Sequence, residues 1–320
     1  MRNGGGALAG LLGHCPAIES LRRELMQLGP SDVRVHVFGE TGTGKERVAK
    51  ALHELSPRAA RRFVAVNAAG FSDELLVAEL FGHARGAFTG AVSAREGYVA
   101  EAEGGTLFID EVAEMSALAQ VRLLRFLQEN EYQRLGETAV RKADVRVISA
   151  TNVDLPRRVC EGRFRRDLWF RLKADRLVVP PLRERGSDVL LLARYFLGLQ
   201  ARARAAPATS LTASAEDALV SHPWPGNVRE LENEMQRLVV RSPGRPVGVA
   251  DLSAELAEAP RPGGTLRLAL QRVESEMLLA ALERHDGRQA SAAAELGITR
   301  QALWAKLRRL GVSLEQRVTP

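Results

Sequence analysis

Gly39-Glu40-Thr41-Gly42-Thr43-Gly44-Lys45 is the stretch on which the reading of this 320-residue chain turns. The apolar run Val33-Arg34-Val35-His36-Val37-Phe38 precedes it, and Arg47-Val48-Ala49-Lys50-Ala51-Leu52, with helical spacing, follows. Strand, glycine loop and helix in that order are the setting that a phosphate-binding loop needs. Three glycines let the backbone turn tightly enough for successive N–H groups to converge on phosphate oxygens, and the following helix adds the positive end of its dipole. Lys45 then supplies a mobile cation for the β- and γ-phosphates. The bland alternative, a glycine-rich turn with a solvated lysine, does not explain the flanking strand and helix. Glu46 stands where Ser or Thr usually holds magnesium, so a metal here must lean on another carboxylate, on water and on the nucleotide.

A chain of this length exceeds one ordinary domain, so two or three domains are expected. Hydrophobic content of 45% with 26% charged residues is that of a soluble globular protein. The net charge of +6 permits nucleic-acid binding without requiring it. Only five of the 45 basic residues are lysine, and coding bias accounts for that as readily as function. Cys15 and Cys160 have no pairing or metal-ligand spacing, which argues against a disulfide or zinc site and fits a reducing cytoplasm. The apolar start, Ala7 to Leu12, is too short and glycine-broken for a signal peptide, and no uninterrupted apolar stretch reaches the length of a membrane span.

Helical spacing over Leu11 to Leu28 leads into the first strand. Phe63-Val64-Ala65-Val66-Asn67 reads as a second strand ending in a polar residue. Parallel strands offer their C-terminal ends to ligands, so Asn67 is placed either to face the nucleotide or merely to cap a turn. Gly104 to Glu111 is a third strand, continuously apolar until it ends in two carboxylates. Beside a phosphate loop such a pair divides its labour: Asp110 holds magnesium or its water, and Glu111 orients and deprotonates the attacking water. Leu118 to Leu127 is an amphipathic helix. Asp144 to Ala150 is a fourth strand ending at Thr151-Asn152, and Leu177 to Val179 a short fifth before Pro180-Pro181. Between the second and third strands lies Gly86-Ala87-Phe88-Thr89-Gly90-Ala91. Its one large apolar side chain either folds back into the core or sits exposed on a loop for a partner to cover.

From Arg183 to about Glu258 the pattern is helical. Arg229 falls in the first turn of a helix, where a lone cation is disfavoured unless it meets an anion; a phosphate would serve, and so would a salt bridge to Glu232. Pro260 to Gly264 is a linker. Three further helical segments follow (Leu266 to His285, Arg288 to Leu296, Thr299 to Leu310), the last two joined through Leu296-Gly297-Ile298-Thr299, a glycine turn and a Thr cap as in a helix-turn-helix. Arg300, Gln301, Lys306, Arg308 and Arg309 suit base edges and phosphates, and over Asp286 to Gly311 basic residues outnumber acidic ones five to two. A helical protein-interaction module with a solvated basic face is the alternative.

With these motifs in place the chain, from Leu11 to Gly311, resembles the bacterial enhancer-binding proteins, the sigma-54-dependent transcriptional activators of the AAA+ ATPase superfamily. Gly86 to Ala91 matches that family's GAFTGA signature without a change, and the resemblance makes this loop (Gly86, Ala87, Phe88, Thr89, Gly90, Ala91) the sigma-54 contact. Glu46 after the lysine is a family trait. The implied fold is α/β: a P-loop parallel sheet sandwiched by helices over residues 8–182, a helical lid over 183–258, a linker at 259–264, and an all-α Fis-type helix-turn-helix domain over 265–315. ATP and Mg2+ are the implied cofactors. Gly39, Glu40, Thr41, Gly42, Thr43, Gly44, Lys45 and Glu46 would bind the nucleotide together with Ala102, Glu103, Gly104, Gly105, Asp110 and Glu111. Asp110 and Glu111 look like the Walker B pair, with Asp110 on the metal. Asn67 looks like the partner that holds Glu111 until the γ-phosphate is sensed, Thr151 and Asn152 like sensor I, Arg229 like sensor II. Arg165 and Arg171 match arginine fingers that reach a neighbouring protomer, which implies a homo-oligomer closing as a hexameric ring. Thr299 joins Arg288 and the basic helix as DNA contacts, although Arg288 replaces a common Asn and Ala305 a usual basic residue.

The expected activity is hydrolysis of ATP to ADP and phosphate, coupled to opening of promoter DNA by sigma-54 RNA polymerase, with enhancer DNA held by the C-terminal domain and no membrane involved. Many relatives begin with a receiver or ligand-sensing domain, and none precedes the phosphate loop here, so regulation is expected from a separate protein, from expression level or from the DNA, unless the chain is shortened. The rival reading is a DNA-binding regulator that uses ATP only as a switch and never touches sigma-54.

Overall fold

The computed structural model describes residues 8, 10–88, 91–205, 207, 209–258, 277–278, 281–282, 284–285, 289–299 and 302–303. The chain divides into two compact units between Glu258 and Ala259. In the first unit the strands are β1 (Val35–Phe38), β2 (Phe63–Asn67), β3 (Thr106–Asp110), β4 (Glu131–Tyr132), β5 (Arg141–Lys142), β6 (Arg146–Thr151) and β7 (Asp175–Val178). Five of them form one sheet in the order β2-β3-β6-β1-β7, every pairing parallel. The helices are α1 (Pro16–Leu28), α2 (Lys45–Glu54), α3 (Asp73–Phe81), α4 (Tyr98–Glu101), α5 (Ala117–Glu129), α6 (Leu155–Cys160) and α7 (Arg166–Leu172), then α8 (Asp188–Ala203), α9 (Ala213–Ser221), α10 (Asn227–Arg241) and α11 (Ala254–Glu258).

Side chains alternate across each central strand and so feed two cores. On β3, Leu107 and Ile109 join the layer built by α3, α5 and α7, whereas Phe108 joins the opposite layer with α1 and α2. Each fully buried aliphatic side chain contributes about 1.5–3 kcal/mol, and the double cover explains why these strands read as continuous apolar runs. A separate core under Trp224, Phe196, Leu231 and Met235 holds α8 to α10 together as the lid.

Some boundaries differ from those the sequence suggests. Helical spacing begins at Leu11, but α1 starts at Pro16, whose missing N–H suits a first helical position, after an extended Cys15. The first strand starts at Val35 rather than Val33, and the fourth at Arg146 rather than Asp144. The β4–β5 hairpin went unread because two-residue strands carry no periodicity. In the second unit α12 (Gln289–Glu295) is followed by a turn at Gly297, φ +64°. Thr299 then accepts the Ala302 N–H on its hydroxyl at 3.2 Å, capping the next turn as expected. Among the described residues no helix is long and apolar enough to cross a membrane.

Arg146, 2% exposed at the start of β6, ties both helices of one layer to the sheet. Its guanidinium donates to Gly29 O (3.1 Å), Leu28 O (3.1 Å) and Leu52 O (3.2 Å), carbonyls at the C-terminal ends of α1 and α2, where the helix dipoles favour a cation. Arg146→Met leaves these carbonyls orphaned and should destabilise the first unit by about 3 kcal/mol, read as a lower urea midpoint; an unchanged midpoint would show that the carbonyls find other donors.

Candidate functional site

β1, β3 and β6 are neighbours, and their C-terminal ends deliver the phosphate loop, the acid pair and Thr151-Asn152 to one place. The loop makes its turns at Gly42 (φ +78°) and Gly44 (φ +99°), conformations that only glycine adopts freely. Gly44 caps α2, so the unpaired N–H groups of that helix face the loop. Lys45, 6% exposed, folds back to donate to Gly39 O at 3.0 Å, and its ammonium lies 3.5 Å from Glu111 Oε1. Asp110 accepts the Glu111 N–H at 3.0 Å. Glu111 itself is forced into the left-handed region at φ +50°, a strained conformation for a non-glycine residue. Its other oxygen accepts from Thr151 Oγ1 (3.3 Å) and from the Asn152 N–H (3.2 Å), and the Asn152 amide reaches Thr41 Oγ1 at 2.8 Å.

The site opens as a cavity of about 440 Å³. Thr41 to Arg47, Asn67, Asp110 and Glu111 form its polar end, and Leu12, Ile18, Val179, Leu192, Tyr195 and Phe196 its apolar end. Arg229 and Glu232 project into it from α10, but no salt bridge joins them or engages Arg229 among the described residues. The apolar rim is fixed from the lid by buried charges. Asp188, 2% exposed, accepts the His14 N–H (2.7 Å) and the Cys15 N–H (3.2 Å), while Arg185 donates to Leu12 O. Gly13 runs so close that a Cβ there would collide with the Asp188 carboxylate. Sequence reading missed Arg185 and Asp188; their one signal was a charged cluster straight after Pro180-Pro181, where helical patterning begins.

Several expected placements change. Asn67 does not hold Glu111 here: its side chain accepts the Ala69 N–H at 3.0 Å and caps a short turn, while Thr151, Asn152 and Lys45 hold the glutamate. Ala102, Glu103, Gly104 and Gly105 do not line the cavity. They precede β3, and the five residues of that strand set them roughly 16 Å from the acid pair. Their glycines serve a turn: Gly104 has φ +70°, and Gly105 packs against the Arg62 carbonyl. Glu40 aims its carboxylate at Arg183 and Asn227 instead of the cavity. Glu46 pairs with Lys50 at 3.1 Å, both exposed.

Arg165 and Arg171 are exposed and line no part of the cavity; Arg165 is forked onto Asp167 at 3.0 and 2.7 Å. Phe88 is half-buried, its ring edge-on to His83 at 5.1 Å, so neither extreme holds for it. Gly86, Ala87 and Ala91 flank it, the Gly86 N–H bonding Ala91 O at 2.8 Å. Thr89, Gly90, Arg288, Arg300, Gln301, Lys306, Arg308 and Arg309 lie outside the described residues.

A glycine loop and acid pair at the strand ends of a parallel sheet, roofed by a helical lid, define a P-loop NTPase of the AAA+ kind. The family model described as the sigma-54 interaction domain matches residues 11–178, that of the AAA+ ATPase lid domain 183–267, and that of the Fis family of bacterial regulatory proteins 269–310. The chain belongs to the sigma-54-dependent activator family. Among its relatives, the transcriptional regulatory protein ZraR of Klebsiella oxytoca is 46% identical over 305 residues, covering 94% of this chain and 69% of ZraR. The DNA-binding transcriptional regulator NtrC of Salmonella typhimurium is 41% identical over 334 residues, covering 96% and 71%. The crystal structure of NtrX from Brucella abortus in complex with ADP superposes with a TM-score of 0.74 at 35% identity, over 94% of this chain and 70% of NtrX; its ATP complex matches equally.

Burial raises the Asp110 carboxyl above the usual carboxylate range, against the pull of Lys45. A carboxyl with its folded pKa raised costs stability once ionised, so the fold gains as pH falls through that value. Asp110→Asn should therefore raise the urea midpoint of the nucleotide-free protein at pH 7, with the gain over the parent shrinking towards pH 4. A lowered midpoint at pH 7 would mean that attraction to Lys45 outweighs desolvation.

Proposed function

We propose that the chain is an ATP-driven transcription activator that acts in the cytoplasm. It hydrolyses ATP between subunits of a homo-oligomeric ring, holds enhancer DNA through its C-terminal unit, and presses the Gly86 to Ala91 loops on sigma-54 RNA polymerase to open the promoter. The observation that carries this reading is the meeting of Lys45 with Glu111 at 3.5 Å, beside Asp110, in one cavity whose other end is apolar. That cavity suits a nucleotide, with phosphates in the glycine loop and a base against Leu12, Ile18, Tyr195 and Phe196.

The oxygen donors fit a magnesium ion held jointly with phosphate. Asp110 offers a carboxylate, and no cluster of three or more His, Cys, Asp or Glu side chains among the described residues would hold an ion alone. When bound, such an ion neutralises charge on the phosphates. The chain's own residues do the rest: the loop N–H groups and Lys45 hold the phosphates, and Glu111 takes a proton from a water as its oxygen bonds to the γ-phosphorus. The β–γ bond breaks, releasing ADP and phosphate. Since Lys45 cannot serve both partners fully, phosphate binding draws it from Glu111 and leaves the glutamate to Thr151, Asn152 and the water.

Arg165 and Arg171 stay outside their own cavity, which supports fingers that complete a neighbour's site. Half-burial of Phe88 supports a loop able to exchange its His83 contact for a partner surface.

Glu111→Gln should bind ATP with near-parental affinity and lose at least ~100-fold in turnover, measured by fluorescent-ATP titration and phosphate release; ordinary turnover removes Glu111 as the base. Thr89→Ala should hydrolyse ATP normally and fail to form open complexes in a reconstituted sigma-54 transcription assay, and full activation would separate the loop from the output.

A further inference from the structure

The outer face of the phosphate loop makes contacts that phosphate binding does not require. Arg183 forks onto the Glu40 carboxylate at 2.8 and 2.6 Å, and Asn227 Nδ2 donates to the same carboxylate at 3.1 Å. These bonds, the arginine's foremost, hold the Glu40 carboxyl down to about 2, so the contact stays ionised over any working pH. Asn227 is fully buried and sits in the left-handed region at φ +55°. It also donates to Thr41 O at 3.0 Å and accepts the Leu182 N–H at 2.8 Å, so one side chain joins the loop, the hinge into the lid and the start of α10. The Arg229 N–H then bonds Gly42 O at 3.3 Å, and a Cβ on Gly42 would collide with the Gly226 carbonyl. Gly42 is thus required by the lid as much as by the turn.

An exposed Arg–Glu pair alone would be worth little. Here the carboxylate is shared with a buried amide that cannot move without disturbing Thr41 and Leu182. Arg229, which faces the cavity, is two residues along from that amide on the same helix.

We propose that Glu40, Arg183 and Asn227 form a latch that positions the lid on the phosphate loop and so holds Arg229 over the nucleotide. The latch rests on the reading of the cavity as a nucleotide site. Phosphates engage the inner face of the loop and the latch engages its outer face, so a shift of Glu40 to Gly42 on phosphate binding or loss moves the start of α10 with it. These are positioning residues, and none of the three side chains touches the reacting atoms.

The test uses the whole chain with Glu40→Gln, Arg183→Gln, both together, and each in an Arg229→Ala background. The latch predicts that each single substitution weakens binding of a fluorescent ADP and raises KM for ATP about tenfold, with kcat within about twofold. The double variant should be no worse than either single one, and neither substitution should add to the loss caused by Arg229→Ala. Arg183 and Glu40 are 45% and 43% exposed, so both variants should keep the parental urea midpoint. Unchanged ADP affinity and KM, losses that multiply in the double variant, or a full extra loss without Arg229 would each overturn the latch. If the parent protein itself fails to bind ADP, the nucleotide reading falls and takes the latch with it; if the parent binds and the variants bind equally well, only the latch falls.

Discussion

The Lys45 ammonium, nearly removed from water beneath the glycine loop, sets the terms for everything around it. A desolvated cation needs compensation close by. Carbonyl oxygens of the loop supply hydrogen bonds but no net charge, and Glu111, at 3.5 Å, is an incomplete counter-ion already shared with Thr151 and Asn152. Burial meanwhile makes ionised Asp110 expensive. The pocket therefore holds a cation imperfectly neutralised and two carboxylates imperfectly solvated, an arrangement that costs stability and favours an incoming polyanion that brings its own cations.

Strand ends were the most legible part of the sequence, for a physical reason. A doubly covered parallel strand is apolar throughout, so a polar residue at its end stands out, and Asp110-Glu111, Thr151-Asn152 and Asn67 all announced themselves this way. Ala102 to Gly105, placed with the nucleotide by the family resemblance, do not line the cavity, because a strand carries its two ends apart. Contacts across long separations left no local trace. Glu40 and Arg183 are 143 positions apart and Leu12 and Arg185 are 173 apart, and nothing in the periodicity of either segment shows that a loop glutamate serves the lid. Even the start of α1 follows from such a contact, because Leu11 to Cys15 is drawn out along Arg185 and Asp188 instead of coiling.

The lid is consequently part of the site and not a cover laid over it. Its hinge segment places Arg183 on the phosphate loop, Arg185 on the backbone beside the apolar end, and Asp188 on the chain entering α1. Both ends of the cavity are thereby fixed to one short stretch of backbone. Any rotation of the lid must either carry both ends or break these charge-assisted bonds, those of Arg185 and Asp188 being buried, and the latter is the costlier course.

The cavity draws its basic lining from both the phosphate loop and the lid. Lys45 and Arg229 are the basic groups that face it together with Arg47 and Arg185, and Arg165 and Arg171 lie elsewhere. Arg165 is engaged by Asp167 in a fork in which both groups are nearly half exposed. Such a pair is worth little in water, so a phosphate, carrying more charge, would draw the guanidinium from Asp167 at small cost. In the ring proposed above, assembly would be the step that completes the charge around the phosphates, because neither arginine lines the cavity of its own chain.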